Sequence, residues 1–239
     1  MDKDYSHPWY TEEKLKKPDE NLARLMEDYP LVRAFFPIIG WALYLYGMPD
    51  GSHFIPFASQ RMWQEHPEER GRCVLSTVVV LAYAALLLHL FNYDVAQVSY
   101  WYGAPALVYG WWLVAVTYLQ HHNPDTLVYE EEDWKFVPAA FETVDRKFGW
   151  GIDTLHHHIT DGHVVHHLFF TKIPHYNLPR ATKAIVDYLG KVGLTKFYKK
   201  EITYDFPLRT HKYMVQFGFK AHLSKPLAAV ADERNKKTN

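Results

Sequence analysis

The chain has 239 residues, a formal net charge of −1 and one cysteine, Cys73. Near-neutral charge excludes the basic footprint of a nucleic-acid binder. A lone cysteine excludes an intrachain disulfide and fits a reducing, cytosol-facing compartment. Mean hydropathy of −0.28 and 22% charged residues suggest a water-soluble protein, yet the 48% of hydrophobic residues sit in blocks, and blocks decide membrane insertion.

Residues 1–30 form a polar N-terminal segment with a basic run at Lys14, Lys16 and Lys17. The stretch Met1–Glu20 is too polar and charged for a signal peptide. Leu22–Tyr29 has the pattern of one amphipathic helix. A membrane region is expected over 31–120. Its first stretch, 31–47, is apolar apart from Arg33 and is interrupted by Pro37 and Gly40. It is short for a span and equally suits a re-entrant or interfacial helix. Residues 48–73, with Pro49, Gly51, Pro56 and Pro67, read as a loop.

Two stronger segments follow, 74–91 and 98–120, neither carrying a full charge. Each is long enough to span about 30 Å of hydrocarbon. The short link Asn92–Gln97 makes them a transmembrane hairpin. Arg61, Arg70 and Arg72 precede it and the link has no Lys or Arg, so both outer ends are expected in the cytosol. His121 then stands where the second span leaves the bilayer.

Region 121–190 is expected to be a cytosolic helical cap, with an acidic loop at Glu130–Asp133. Helical patterning covers Val137–Phe148, His156–Phe170 and Ala181–Gly190. A basic and aromatic tail, 191–239, follows. The fold class expected is therefore all-α: an integral membrane protein with a transmembrane hairpin and a helical cap.

Nine of the 15 histidines lie between His121 and His175. Solvated histidines scatter; a cluster of this density points to metal or proton chemistry. The sharpest pattern is His163-Val164-Val165-His166-His167. On a helix, positions i, i+3 and i+4 share a face, so these three are candidate metal ligands. His166 and His167 diverge by about 100°, which suits two neighbouring ions. The spacing leaves iron, zinc and copper open. Val164 stands where the zinc-protease pattern HExxH needs Glu, which removes that hydrolytic reading. His121, at the membrane exit, is the fourth candidate ligand. Asp161 is placed to accept the outer ring N–H of a ligand histidine and fix its tautomer. Among His156, His157 and His158, His157 is the best candidate for a supporting role. His175 suits a structural turn.

The strings Thr117–His121, Thr143-Val144-Asp145-Arg146, Ile159-Thr160-Asp161, His163–Phe169, Ile173–Asn177 and Ala181–Ile185 appear in that order. Together they resemble the membrane fatty-acid desaturases of the plant-type oleate Δ12/ω-3 family, over about residues 31–190. The resemblance implies a non-haem di-iron oxidoreductase of lipid metabolism. Such an enzyme uses O2 to put a cis double bond into a monounsaturated acyl chain of a lipid or acyl-CoA. Cytochrome b5 supplies the electrons. His163, His166 and His167 match the family's third histidine box, and His121 its ligand after the last span. The Thr143–Arg146 and Ile159–Asp161 strings lean to Δ12. A hydroxylase on the same scaffold, or a catalytically inactive desaturase-derived protein, is the alternative.

The family's two earlier boxes, H-x(3–4)-H and H-x(2–3)-HH, are absent, since His7, His53, His66 and His89 lack the spacing. About half of the ligand set is therefore missing. The chain reads as the C-terminal part of a desaturase, or as one piece of a homo- or heterodimeric one. His158 replaces the Asn usual in plant members, and the match after Gly190 is poor. The ending Lys236-Lys237-Thr238-Asn239 resembles a dilysine retrieval signal, which points to the endoplasmic reticulum membrane with a cytosolic C-terminus.

Overall fold

The computed structural model describes residues 28–47, 54–129 and 133–219. The amphipathic stretch 22–29 falls almost wholly outside these residues. Glu130, Glu131 and Glu132 of the acidic loop and the dilysine ending lie outside them too. The described parts divide into two compact units, one of 28–34 and 115–219, the other of 35–114.

The second unit is helical. Helix α1 (Pro30–Gly47) enters it, with Pro37 inside. Helix α2 (Arg61–Glu65) is one turn long. Helix α3 (Pro67–Leu90) begins inside the stretch expected to be loop. Pro67 does not break it, because a proline in the first turn lacks only an N–H that has no helical partner anyway. Among the described residues α3 alone is long and apolar enough to cross a membrane, with mean hydropathy 2.3 and 6% of its apolar window buried. A helix apolar all round and uncovered by its own protein needs a nonpolar solvent.

The expected second span is less regular. Asn92 and Tyr93 turn the chain at φ 51° and 60°. Asp94 accepts the N–H of Gln97 at 3.0 Å and starts α4 (Val95–Val98). A π-turn over Ser99–Gly103 precedes α5 (Ala104–His121). Its tryptophans, tyrosines and Gln120 keep α5 below the hydropathy of α3.

The first unit is mostly helical but not all-α, which corrects the expected fold class. Val137–Phe148 divides into α6 (Phe136–Ala140) and strand β1 (Val144–Lys147). The Thr143 hydroxyl donates to the Ala140 carbonyl at 2.9 Å and closes the helix. Extended backbone then suits β-branched Thr143 and Val144. β1 pairs in parallel with β2 (Lys199–Ile202), Val144 facing Lys199 and Lys147 facing Ile202. A parallel pair needs a long crossover, here α7 (Ile152–Leu155), α8 (His163–Phe169) and α9 (Leu178–Lys191). Helix α10 (Phe206–Phe217) follows β2.

The expected helix His156–Phe170 is likewise interrupted. His157 and His158 hold left-handed backbone at φ 55° and 60°. Buried Asp153 accepts from Phe148 N at 3.0 Å, Gly149 N at 2.9 Å and the Thr160 hydroxyl at 2.7 Å, closing the loop. Gly162 lets α9 approach; a Cβ there would lie 3.2 Å from Leu178 Cβ and 3.0 Å from the His158 carbonyl.

Arg146, on β1, has no exposed surface. Its Nε donates to the Leu119 carbonyl at 2.6 Å, and Nη1 to Glu201 at 2.7 Å and Thr203 at 3.0 Å. Glu201 also accepts from Asn123 Nδ2 at 2.6 Å. Removing one partner of a buried ion pair strands the other charge. Glu201 is partly solvated, so Glu201→Ala is expected to cost about 2–3 kcal/mol, and Glu201→Gln clearly less. Thermal unfolding of the purified chain in detergent checks this; equal melting temperatures for Glu201→Ala and the parent would contradict it.

Candidate metal centre

The candidate ligands arrive from two elements. His121 is the last residue of α5, and its ring is buried. His163 and His167 lie one turn apart on α8, where i and i+4 share a face. His163 Nε2 lies 3.0 Å from His121 Nε2 and 3.0 Å from His167 Nε2. One ring nitrogen from each of the three lies within 4.8 Å of the other two. Nitrogens bound at about 2.0–2.1 Å to one ion stand about 3.0 Å apart when at right angles. The three imidazoles therefore fit one first-row metal ion, and imidazole suits iron, zinc or copper.

His166 does not join them. It is half-buried, with its ring 5.8 Å from both the His163 and the Phe170 ring centroids. Burial pushes its pKa down, which keeps the imidazole neutral and able to ligate. Three residues from His163, it occupies the flank of the helix beside the triple.

Asp161 lies apart from the ligand histidines: it pairs with His158 Nδ1 at 3.0 Å. His157 is exposed and its ring sits 4.3 Å from that of His175, also exposed. His122, next to His121, stacks on Tyr118 at 4.8 Å and meets Phe219 edge-on.

Sequence reasoning missed the groups that hold the ligand-bearing elements. Asp145 Oδ1 accepts the N–H of Val164 at 2.8 Å, the second residue of the histidine helix. Its Oδ2 accepts from the Tyr198 hydroxyl at 2.5 Å. Burial pushes the Asp145 carboxyl up, and the bonds from Tyr198 and the Val164 and His163 N–H groups oppose this. Burial and the neighbouring Asp145 carboxylate push the Tyr198 phenol up, so it stays a donor. Burial pushes Arg146 down against the opposing pull of Glu201. Gln120 Nε2 donates to the carbonyls of Ile159 and Thr160 at 2.9 and 3.1 Å. The only signal of Asp145 and Arg146 in the sequence was their place in the Thr143–Arg146 string.

The fatty acid desaturase family model matches residues 3–200. The Δ12 fatty acid desaturase fat-2 of Caenorhabditis elegans is 40% identical over 231 residues, 94% of this chain and 58% of that protein. The ω-3 fatty acid desaturase fat-1 of the same organism is 36% identical over 236 residues, 93% of this chain and 54% of that protein. The Δ12 fatty-acid desaturase of Arabidopsis thaliana is 40% identical over 164 residues, 64% of this chain and 40% of that protein. This chain thus spans little more than half the length of the two nematode relatives. No solved structure matches.

Replacing His121, His163 or His167 by Ala is expected to remove most of the metal that the purified chain retains. His166→Ala should remove less, and His157→Ala none. Elemental analysis after gel filtration reads this; retention unchanged in all three variants of the triple would reject the site.

Proposed function

The chain belongs to the fatty acid desaturase family, and we propose that it forms the histidine-box part of an acyl desaturase acting at the Δ12 position. The observation that carries this reading is the convergence of His121, His163 and His167 on one point, with Nε2 atoms at 3.0 Å. These three residues would hold one iron, and His166 would contribute to a second. When bound, two irons and O2 supply the oxidising power to take two hydrogens from an unactivated acyl chain.

The chain's own residues do the rest. Neutral imidazoles hold cations without adding negative charge, so the bound group stays strongly oxidising. The buried sides of His121 and His163 exclude water from the ligand atoms. In the second unit, an apolar cleft of about 590 Å³, lined by Ile38, Trp41, Leu45, Leu107 and Gly110 among others, offers an acyl segment a dry wall.

We place the protein in the endoplasmic reticulum membrane. Helix α3 spans it, α5 completes the hairpin, and the histidine side and C-terminus face the cytosol. Arg70 and Arg72 at the start of α3 support this orientation. Acyl lipid or acyl-CoA is the substrate, cytochrome b5 the electron donor, membrane lipid the surrounding partner, and a homo- or heterodimer the assembly.

Expression in yeast fed oleate or linoleate, with fatty-acid methyl esters analysed by mass spectrometry, tests the reaction. With the missing half of the ligand set supplied by a co-expressed partner chain, a new diene from oleate is expected. A triene from linoleate alone would assign ω-3 action instead, and a hydroxylated product would assign the hydroxylase reading. The absence of any product would favour the catalytically inactive reading.

A further inference from the structure

Metal ligation constrains His121 and His163 to within a few tenths of an ångström, yet they are 42 residues apart on two elements. One strand touches both. Successive strand residues point to opposite faces, and Asp145 and Arg146 are successive residues of β1, each with no exposed surface. Asp145 reaches one way, to the first turn of α8, where Gly162 provides no side-chain cap. Arg146 reaches the other way, to the carbonyl of Leu119, two residues before His121.

β2 and its flanks hold both side chains in place. Tyr198, just before β2, binds the second oxygen of Asp145. Glu201 and Thr203 bind Arg146, and Glu201 also binds Asn123, two residues after His121. His121 is thus gripped on both sides in sequence. A buried polar network of this size gives little net stability compared with apolar packing. What it gives in this place is a fixed distance.

We propose that the parallel strand pair is the positioning scaffold of the metal centre. In it Asp145 and Arg146 set the two ligand-bearing helices against each other, and Tyr198 and Glu201 lock that setting. The proposal rests on the reading of His121, His163 and His167 as a metal site. It makes Asp145, Arg146, Tyr198 and Glu201 positioning residues that touch no metal. Glu201 lies beyond the 3–200 match to the family model, so a role there is read from the tertiary structure.

The test uses the whole chain in lipid nanodiscs, with Co2+ as the probe. Affinity is read by chelator competition, ligand geometry by the visible d–d absorption, and fold by melting of the metal-free protein. Asp145→Ala and Tyr198→Phe are expected to weaken Co2+ binding about 10–100-fold and to shift the d–d bands. Asp145→Asn, whose amide oxygen still accepts from Val164, should recover most of the affinity. Glu142→Gln disturbs the neighbouring Lys199–Glu142 pair; it should lower the melting temperature and leave the Co2+ spectrum and affinity unchanged. Folded Asp145→Ala and Tyr198→Phe proteins with parental spectrum and affinity would overturn the proposal. Should Asp145→Ala not fold, Tyr198→Phe decides alone. A His163→Ala variant with parental affinity would reject the metal site itself, a separate and earlier failure.

Discussion

A guanidinium with no exposed surface must find all its compensation inside the protein, and much of the first unit is arranged around Arg146. It takes the Leu119 carbonyl at the end of α5, the carboxylate of Glu201 and the hydroxyl of Thr203. The ring of Tyr213 on α10 lies 6.0 Å away. Three segments far apart in sequence therefore share one charge. Stripped of water, such charge-assisted bonds are short and directional. The strand pair, otherwise only four residues long on each side, gains its definition from them.

That constraint explains why the histidine cluster forms at all. Helix α8 has seven residues, too few to fix its own orientation. Its direction comes from Asp145 at its first turn, from α9 packed against Gly162, and from the buried Val164 and Val165 beneath it. The end of α5 is fixed in turn by Arg146, by Gln120 on the 159–160 backbone, and by Asn123 on Glu201. With both ends set, the Nε2 atom of His163 meets those of His121 and His167.

The second unit carries the one membrane-capable helix among the described residues. Helix α3 exposes Val78, Val79, Val80 and Leu81, which point in four directions around its axis, and water would penalise this where lipid would not. Its first two turns carry Glu68, Glu69, Arg70 and Arg72, a charged collar suited to a membrane surface. By length and composition α3 is able to cross a membrane.

How much of this was legible from the residues follows the range of each interaction. His163 and His167 announce themselves because helical periodicity is local: i and i+4 share a face whatever surrounds them. The apolar run of α3 and the amphipathic α9 are local in the same sense. His166 carried the same sequence signal as its neighbours, but tertiary packing left its ring at the side of the triple. Asp161 stood two residues from a candidate ligand and was expected on one, yet it pairs with His158, beside the left-handed turn at His157 and His158. The strands were invisible, because four-residue segments without alternation have no period to read and are held by partners 55 residues away. The role of Asp145 was hidden for the same reason: Val164 and Tyr198, which it binds, are near in space and remote in sequence. The sequence by itself determined the histidine motif, its helical spacing, the apolar segment and the family. Only the tertiary structure decided which histidines meet and what holds them, because a distance between two helices is set by buried bonds that no local pattern encodes.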